Sequence, residues 1–166
     1  MITFSQTQPK KQSPATQFHS AIESAPEKVI DDLAWLAAQF CCAPMAIISL
    51  MGDRGLRIKS KVGLTARETA REFALADETL AQRQSVIILD TLLDDRFSRD
   101  AWVASAPKIR FYAGVPLIAS SGHTLGVLSV MDRVPRQLSR EQIYAVEVLA
   151  RQIVSHLEWR TAAGRS

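Results

Sequence analysis

The sequence predicts one α+β domain in which a mostly antiparallel sheet is flanked by a helix at each end of the chain. Three observations predict this fold class. Apolar residues recur every three or four positions over 26–40 and again over 139–160, which is the spacing of an amphipathic helix. Short β-branched runs separated by turn residues lie between these two segments. A chain of 166 residues with 47% hydrophobic side chains is long enough for one well-buried core and too short for two.

The two ends of the chain differ from its middle in composition. Residues 5–17 are polar, include two prolines and show no apolar periodicity, so they cannot bury enough surface to offset the entropy of ordering. We therefore expect a disordered tail over 1–20, the domain over 21–160 and a short basic tail over 161–166.

The first predicted helix begins at Pro26, a residue suited to the first helical turn, and ends before Ala43-Pro44. The run 45–51 has the length and β-branching of a buried strand. It is followed by the turn sequence GDRG and by a strand over 56–63 in which apolar and basic residues alternate. These two strands predict an antiparallel hairpin.

The middle of the chain is less regular. Residues 64–72 predict a polar connection, 75–83 a short helix and 85–90 another buried strand, and a turn-rich loop follows over 91–107. These irregular segments must cover the sheet face that the end helices leave free. A sheet roofed by loops tends to leave a cavity beneath them, where a small molecule would bind.

The strongest strand pair comprises residues 108–119 and 124–132, joined by the tight turn SSGH. Ser139 then begins a capping box, S-R-E-Q, and the last helix runs from it to about Arg160. Apolar positions of this helix follow one another at steps of three and four residues, the spacing of a coiled-coil seam. The seam residues are Ile143, Val146, Ala150, Ile153 and Leu157.

Charge and targeting signals exclude two classes of function. The net charge of +3 belongs to the tails, because without Lys10, Lys11, Arg160 and Arg165 the remainder carries −1. No dense basic stripe with interleaved aromatic residues is present, so we expect no nucleic-acid binding. The sequence also has no apolar run long enough for a membrane span and no signal peptide, so we expect a cytoplasmic protein without membrane contact.

Potential metal ligands are too few and too scattered for a metal or haem site. The two cysteines, Cys41 and Cys42, are adjacent, whereas metal ligands must converge from spaced positions. His19, His123 and His156 are far apart in the sequence and have no Cys or His nearby. We expect two structural thiols at a helix end and no bound metal.

Six segments match a known pattern in the correct order: IKSKVGL, ETAR, DTLLDDRF, IRFYAGVPL, HTLGVLSVMDRVPRQLSREQ and LARQIV. Over residues 26–158 the chain resembles GAF domains, most closely the bacterial subtype found in signalling proteins. The resemblance implies a GAF/PAS-like, six-stranded antiparallel sheet with both terminal helices on one face and a ligand cavity on the other. It implies a sensory or regulatory module that binds cyclic nucleotides or linear tetrapyrroles, or that only dimerises. A separate kinase or other output protein would then be its partner.

Departures from the family pattern argue against catalysis. When the sequences are anchored on ETAR, the family's Cys and His fall on Ala76 and Glu78, and a further frequent Cys is Ser129. The chain has no cysteine after Cys42, yet a free methionine sulfoxide reductase needs pocket thiols and a covalent bilin needs a thioether link. The resemblance therefore implies no enzyme activity and no covalent chromophore.

Asp77 and Glu78 form an adjacent pair of carboxylates in the predicted short helix. Neighbouring helical residues point about 100° apart, so both carboxylates cannot face one cavity. We interpret them as acids that stabilise a helix N-terminus, with Glu78 facing the cavity as the alternative.

A ligand in the cavity would contact polar and aromatic residues carried by the matched segments. The candidates are Glu78, Arg96, Phe97, Arg110, Tyr112 and Ser129. A cyclic nucleotide would need an arginine for its phosphate and an aromatic face for its base. In the alternative interpretation, Arg96 and Arg110 pair with nearby aspartates and contact no ligand.

The seam of the last helix predicts either a homodimer or packing on the sheet. We favour a homodimer formed with the first helix, in which Trp35 and Trp159 lie near the interface. The leading hypothesis is a non-catalytic sensor that binds a small molecule and dimerises. The rival is a degenerate domain that acts only as an interaction scaffold, and a reductase-like enzyme is a third alternative.

Overall fold

A computed structural model describes residues 27–70 and 74–163 of the chain. The helices are α1 (Lys28–Phe40), α2 (Ala74–Gln82), α3 (Ala101–Ala104) and α4 (Arg140–Ala163). The strands are β1 (Met45–Gly52), β2 (Gly55–Val62), β3 (Val86–Ile88), β4 (Phe111–Ile118) and β5 (Thr124–Asp132). The predicted tail over 1–20 lies outside the described residues. The last helix continues to Ala163, so it includes the first three residues of the predicted basic tail.

The sheet has the order β2-β1-β5-β4-β3, and every neighbouring pair is antiparallel. The predicted α+β class and the antiparallel sheet are therefore confirmed. The described residues form five strands, not the six that the resemblance implied. The described residues between β2 and β3 instead form a 3₁₀ turn at Glu68–Ala70 and then α2.

Helices α1 and α4 pack side by side on one face of the sheet, here called the helix face. Alternate residues of a strand point to opposite faces, and those of β1 that point to this face are Ala46, Ile48 and Leu50. The seam residues Val146, Ala150, Ile153 and Leu157 are buried in the same cluster. The seam therefore covers the sheet of its own chain, so the prediction that Val146, Ala150, Ile153 and Leu157 lie at a dimer interface is wrong.

The opposite face, here called the roofed face, is covered by α2 and by the loop over 91–107, as predicted. From β1, Met45 and Ile47 point to this side, where they join Leu75 of α2 and Trp102 of α3 in a second buried cluster. The two apolar layers are comparable to the two sides of a sandwich, with the sheet between them.

The predicted capping box at the start of α4 is present. The Gln142 backbone N–H donates to Ser139 Oγ at 3.1 Å, and the Ser139 N–H donates to Gln142 Oε1 at 2.9 Å. Two N–H groups that would lack intrahelical partners are thereby satisfied. The longest helix thus begins where the sequence predicts it.

The connection between β5 and α4 joins the sheet to the end of α1. Arg136 forms an ion pair with the buried Asp132, and its guanidinium donates to the carbonyl of Cys41 at 3.1 Å and to that of Cys42 at 2.5 Å. These are carbonyls at the C-terminal end of α1, where intrahelical donors are missing. One arginine therefore links three elements.

Candidate functional site

A tyrosine side chain lies in the interior of the roofed face. Tyr112 of β4 is completely buried, and its side chain extends over Gly114, two residues further along the strand. A Cβ placed on Gly114 would lie 2.1 Å from the Tyr112 hydroxyl oxygen. The missing side chain of Gly114 therefore makes the room that the phenol ring occupies.

The Tyr112 hydroxyl forms hydrogen bonds with Thr79 and Ser129. It lies 2.7 Å from Thr79 Oγ1 of α2 and accepts from Ser129 Oγ of β5 at 3.4 Å. Thr79 donates its own proton to the Leu75 carbonyl at 3.3 Å, so the phenol donates to Thr79. Burial raises the pKa of Tyr112, and the hydroxyl is therefore neutral. This network ties α2 to the sheet.

Arg96 lies on the outer side of the roof, where its guanidinium pairs with two carboxylates. Its guanidinium contacts Glu78 Oε1 at 2.6 Å and Asp94 Oδ2 at 2.8 Å, and it stacks over Phe97 with 4.9 Å between the guanidinium carbon and the ring centroid. The hydrogen bond from Arg96 lowers the pKa of Asp94. Asp77 is exposed, so the two adjacent carboxylates do not converge.

Arg110 holds the roof in place. Its Nη1 donates to the Val103 carbonyl at 2.9 Å and to the Ile109 carbonyl at 3.0 Å. These bonds fasten the end of the 91–107 loop to the start of β4, and the predicted pairing with a nearby aspartate is not among the bonds of this side chain.

The six candidate ligand residues therefore do not form one pocket. Tyr112 and Ser129 meet in the interior, Phe97 is buried in the apolar cluster of the same face, and Glu78 and Arg96 pair on the outer side of the roof. The sequence predicts the helix of Glu78 and the strands of Tyr112 and Ser129 correctly, whereas Arg110 of the predicted strand over 108–119 precedes β4. It could not show that a tyrosine pointing into the cavity would fill it.

An open groove of about 760 Å³ follows the edge strand β3. It is lined by Gln82, by every residue of 85–90 and by the loop residues 93–96. Of the six candidates, Arg96 alone is part of this lining within the described chain. The groove was not predicted from the sequence, although the uncharged segment SVIIL at 85–89 indicates an edge strand without charged residues.

The exposed surface of α1 and α4 carries large apolar side chains. Trp35, Phe40, Tyr144 and Trp159 are each more than half exposed, and Val29 is nearly so. Of the predicted interface residues, Trp35 lies on this surface and Ile143 at its margin. Tyr144 and Trp159, the exposed aromatic residues of α4, do not follow the spacing of the predicted seam.

The two thiols lie away from the roofed face. Cys41 is buried in the cluster of the helix face, and Cys42 is exposed at the end of α1. Burial, together with the neighbouring Cys42, raises the pKa of Cys41 to about 11. Neither thiol is therefore placed to attack a molecule bound beneath the roof.

We expect the folded chain to react with one equivalent of a disulfide reagent such as dithionitrobenzoate at pH 8, at Cys42. Cys41 should react only after unfolding, because it is buried and only about one part in a thousand is thiolate three pH units below its pKa. Release of thionitrobenzoate measures the stoichiometry, and Cys42→Ser is the control. Two fast equivalents from the folded chain would contradict this placement of Cys41.

The antiparallel sheet, with α1 and α4 on one face and α2 and the 91–107 loop on the other, defines the class of α+β module to which this chain belongs. The family model of the GAF domain matches residues 25–157, and the chain belongs to the GAF domain family. This confirms the predicted family.

A bacterial enzyme matches most of this chain in sequence. The chain is 29% identical over 137 residues to a cyclic di-GMP phosphodiesterase of Pseudomonas aeruginosa, over 82% of this chain and 23% of that protein. It thus spans about a quarter of that relative's length.

Solved structures support the fold alone. The GAF domain of an Acinetobacter phosphoenolpyruvate-protein phosphotransferase is 16% identical, with a TM-score of 0.67 over 92% of this chain and 95% of that one. A type II free methionine-R-sulfoxide reductase of Thermoplasma acidophilum is 11% identical, with a TM-score of 0.65 over 77% and 89% of the two chains. In addition, no helix of the described residues is long and apolar enough to cross a membrane.

Proposed function

We propose that this chain is a non-catalytic regulatory GAF domain that acts in signal transduction by forming a homodimer through the outer surface of α1 and α4. The observation that carries the proposal is the set of exposed apolar side chains on these two helices. Aromatic residues are enriched in the buried centres of protein interfaces, and several exposed on one side of a domain indicate an interaction surface.

Some of the exposed apolar residues share one side of their helix, whereas Trp35 points roughly 100° or more away from the others on α1. Val29, Leu36 and Phe40 are spaced by seven and four residues, so they share one side of α1. Tyr144 and Trp159 are fifteen residues apart, close to four turns, so they share one side of α4. Two adjacent stripes of this kind fit a bundle of four helices in a dimer.

Polar contacts hold the two helices together at both ends. His156 Nε2 of α4 lies 2.8 Å from Glu27 Oε2 at the start of α1, and Arg160 pairs with the same carboxylate. At the other end, Gln142 Nε2 donates to the Phe40 carbonyl at 3.1 Å. Because the helices form one unit, a change at the dimer interface would reach the sheet through both of them.

A small-molecule sensor is less well supported, because Tyr112 occupies the space beneath the roof where such a ligand would bind. The proposal includes no catalysis, since both thiols lie away from that space. The signalling setting is supported by the family and by the phosphodiesterase relative, whose activity is not assigned to this chain.

Replacing Trp159 with glutamate is expected to shift the chain from dimer to monomer. A charge buried in an apolar interface is unfavourable, and a loss of about 1.4 kcal/mol or more raises the dissociation constant at least tenfold. Sedimentation equilibrium measures the change, and Tyr144→Glu should act in the same direction.

Val134→Glu is the control, because Val134 is an apolar residue on the β5–α4 connection that is also more than half exposed. This variant should dimerise as the parent chain does. A parent chain that stays monomeric at every concentration tested, or a control that dissociates as readily as Trp159→Glu, would refute the proposal.

A further inference from the structure

The outer edge of β3 faces the open groove, and no described strand covers it. β3 is the last strand in the sheet order and pairs only with β4 among the described strands. In an antiparallel pair, alternate residues direct both their N–H and C=O groups away from the partner strand. The free edge of β3 therefore presents backbone donors and acceptors to the groove.

β3 is only three residues long, which limits edge pairing, but its edge lacks the other features that protect an exposed strand. Such strands are commonly blocked by lysine, proline or a bulge. Residues 85–89 read SVIIL, without charge or proline, and the pairing of Val86, Ile87 and Ile88 with β4 is regular. An extended segment could therefore pair with β3 as an additional strand.

Two openings lie near this edge, and no residue of β3 lines the smaller one. The 760 Å³ groove lies on the roofed side, and a smaller opening of about 330 Å³ lies on the α4 side. Ser85 lines both. Successive side chains of a strand point to opposite faces, so those of an added strand would point alternately to the roofed-side groove and to the α4 side of the sheet.

The two openings differ in chemistry. The roofed-side groove is lined by Asp90, Asp94 and Asp95, and Arg96 neutralises Asp94, so a net negative charge remains. Leu93, which is 83% exposed, adds an apolar contact in the same groove. The α4-side opening is lined mainly by apolar residues with one opposite-charge pair. Its lining residues include Val115, Pro116, Ile118, Ala150 and Val154.

We propose that the β3 edge is a docking site for an extended segment of a partner protein in which basic and apolar side chains alternate. Backbone hydrogen bonds to β3 supply the affinity. Basic side chains lie in the acidic groove on the roofed side, and apolar side chains lie against α4. This surface is distinct from the proposed dimer surface, so each can be tested without the other.

A capped octapeptide of alternating lysine and valine is the probe, tested against the full chain at physiological salt. Its binding should slow the amide exchange of residues in β3 and shift their NMR signals. A peptide of alternating glutamate and valine should bind at least about tenfold more weakly, a difference of about 1.4 kcal/mol. The lysine–valine peptide should also bind Asp95→Lys at least about tenfold more weakly than it binds the parent chain. Asp95 is exposed, so this substitution should not affect folding.

Asp53→Lys is the matched control, because Asp53 lies at the β1–β2 turn, at the edge of the sheet opposite β3. It should bind the probe as the parent chain does. Equal binding of both peptides, signal changes confined to α1 and α4, or equal losses in the two variants would overturn the proposal.

Two further outcomes would also overturn the assignment to a partner protein. Probe binding that appears only after residues 1–24 are removed would show that the chain's own N-terminal segment occupies the edge. If Lys61→Glu no longer self-associates and only this variant binds the probe, β2 of a second copy occupies the β3 edge.

Discussion

Tyr112→Ala is expected to lower the free energy of unfolding by about 4 kcal/mol and to open a cavity beneath the roof. The parent side chain is completely buried, and its ring fills the space above Gly114. Alanine would remove the ring contacts and leave the Thr79 and Ser129 hydroxyls without the phenol between them. Urea unfolding measures the loss.

A small phenol such as 4-methylphenol should restore part of this stability, because it replaces the missing ring and hydroxyl. Apolar cavities made by truncation bind molecules of matching shape, and a ligand that binds only the folded chain raises its stability by mass action. The expected result is a thermal shift in Tyr112→Ala and none in the parent chain.

Tyr112→Phe is the control for the ring. It keeps the packing and removes one hydrogen-bonding group, at an expected cost of about 1 kcal/mol, and it should not respond to 4-methylphenol. A Tyr112→Ala variant as stable as the parent would mean that the roofed face already contains an open cavity. The sensor hypothesis would then regain its site.

Arg136→Ala is expected to cost about 3 kcal/mol, because it leaves a buried carboxylate without its partner. The Asp132 side chain is 8% exposed and pairs with this arginine. The change also removes the donors that Arg136 offers to the carbonyls of Cys41 and Cys42. Urea unfolding should show a lower midpoint with an unchanged slope.

Arg133→Ala provides the comparison, because its guanidinium is 44% exposed where it pairs with Glu68. An exposed pair contributes at most about 1 kcal/mol, so this variant should lose much less stability. In Arg136→Ala combined with Asp132→Asn, the loss should be smaller than in the single arginine variant, since no unpaired charge remains. Equal losses in Arg133→Ala and Arg136→Ala would contradict the role assigned to Arg136.

Local patterns were enough to predict most of the fold. Ser139 and Gln142 cap α4 as their spacing predicts, because a capping box depends only on residues within one turn. The strand pair around SSGH is antiparallel, as a tight turn requires. The number of strands was predicted less well, since the implied sixth strand is not among the described residues.

The candidate site was predicted only in part, for reasons that involve distant residues. Arg96 was expected either to bind a ligand or to pair with an aspartate, and it pairs with Asp94 and also with Glu78, which is eighteen positions away. Arg110 donates to two backbone carbonyls. The acceptor that each arginine reaches depends on how the 91–107 loop folds. The amino-acid composition does not predict the path of this loop.

The sequence alone determined the antiparallel α+β fold, the family and the absence of a thiol after Cys42, because these depend on local periodicity, on motif order and on composition. The tertiary structure alone decided what each apolar residue covers. A seam such as Val146 to Leu157 has the same spacing whether it faces its own sheet or a second chain, and an inward-facing tyrosine can line a cavity or fill it. The packing of α2 against Gly114 and Ser129 places the Tyr112 ring beneath the roof, where its hydroxyl is hydrogen-bonded to Thr79 and Ser129.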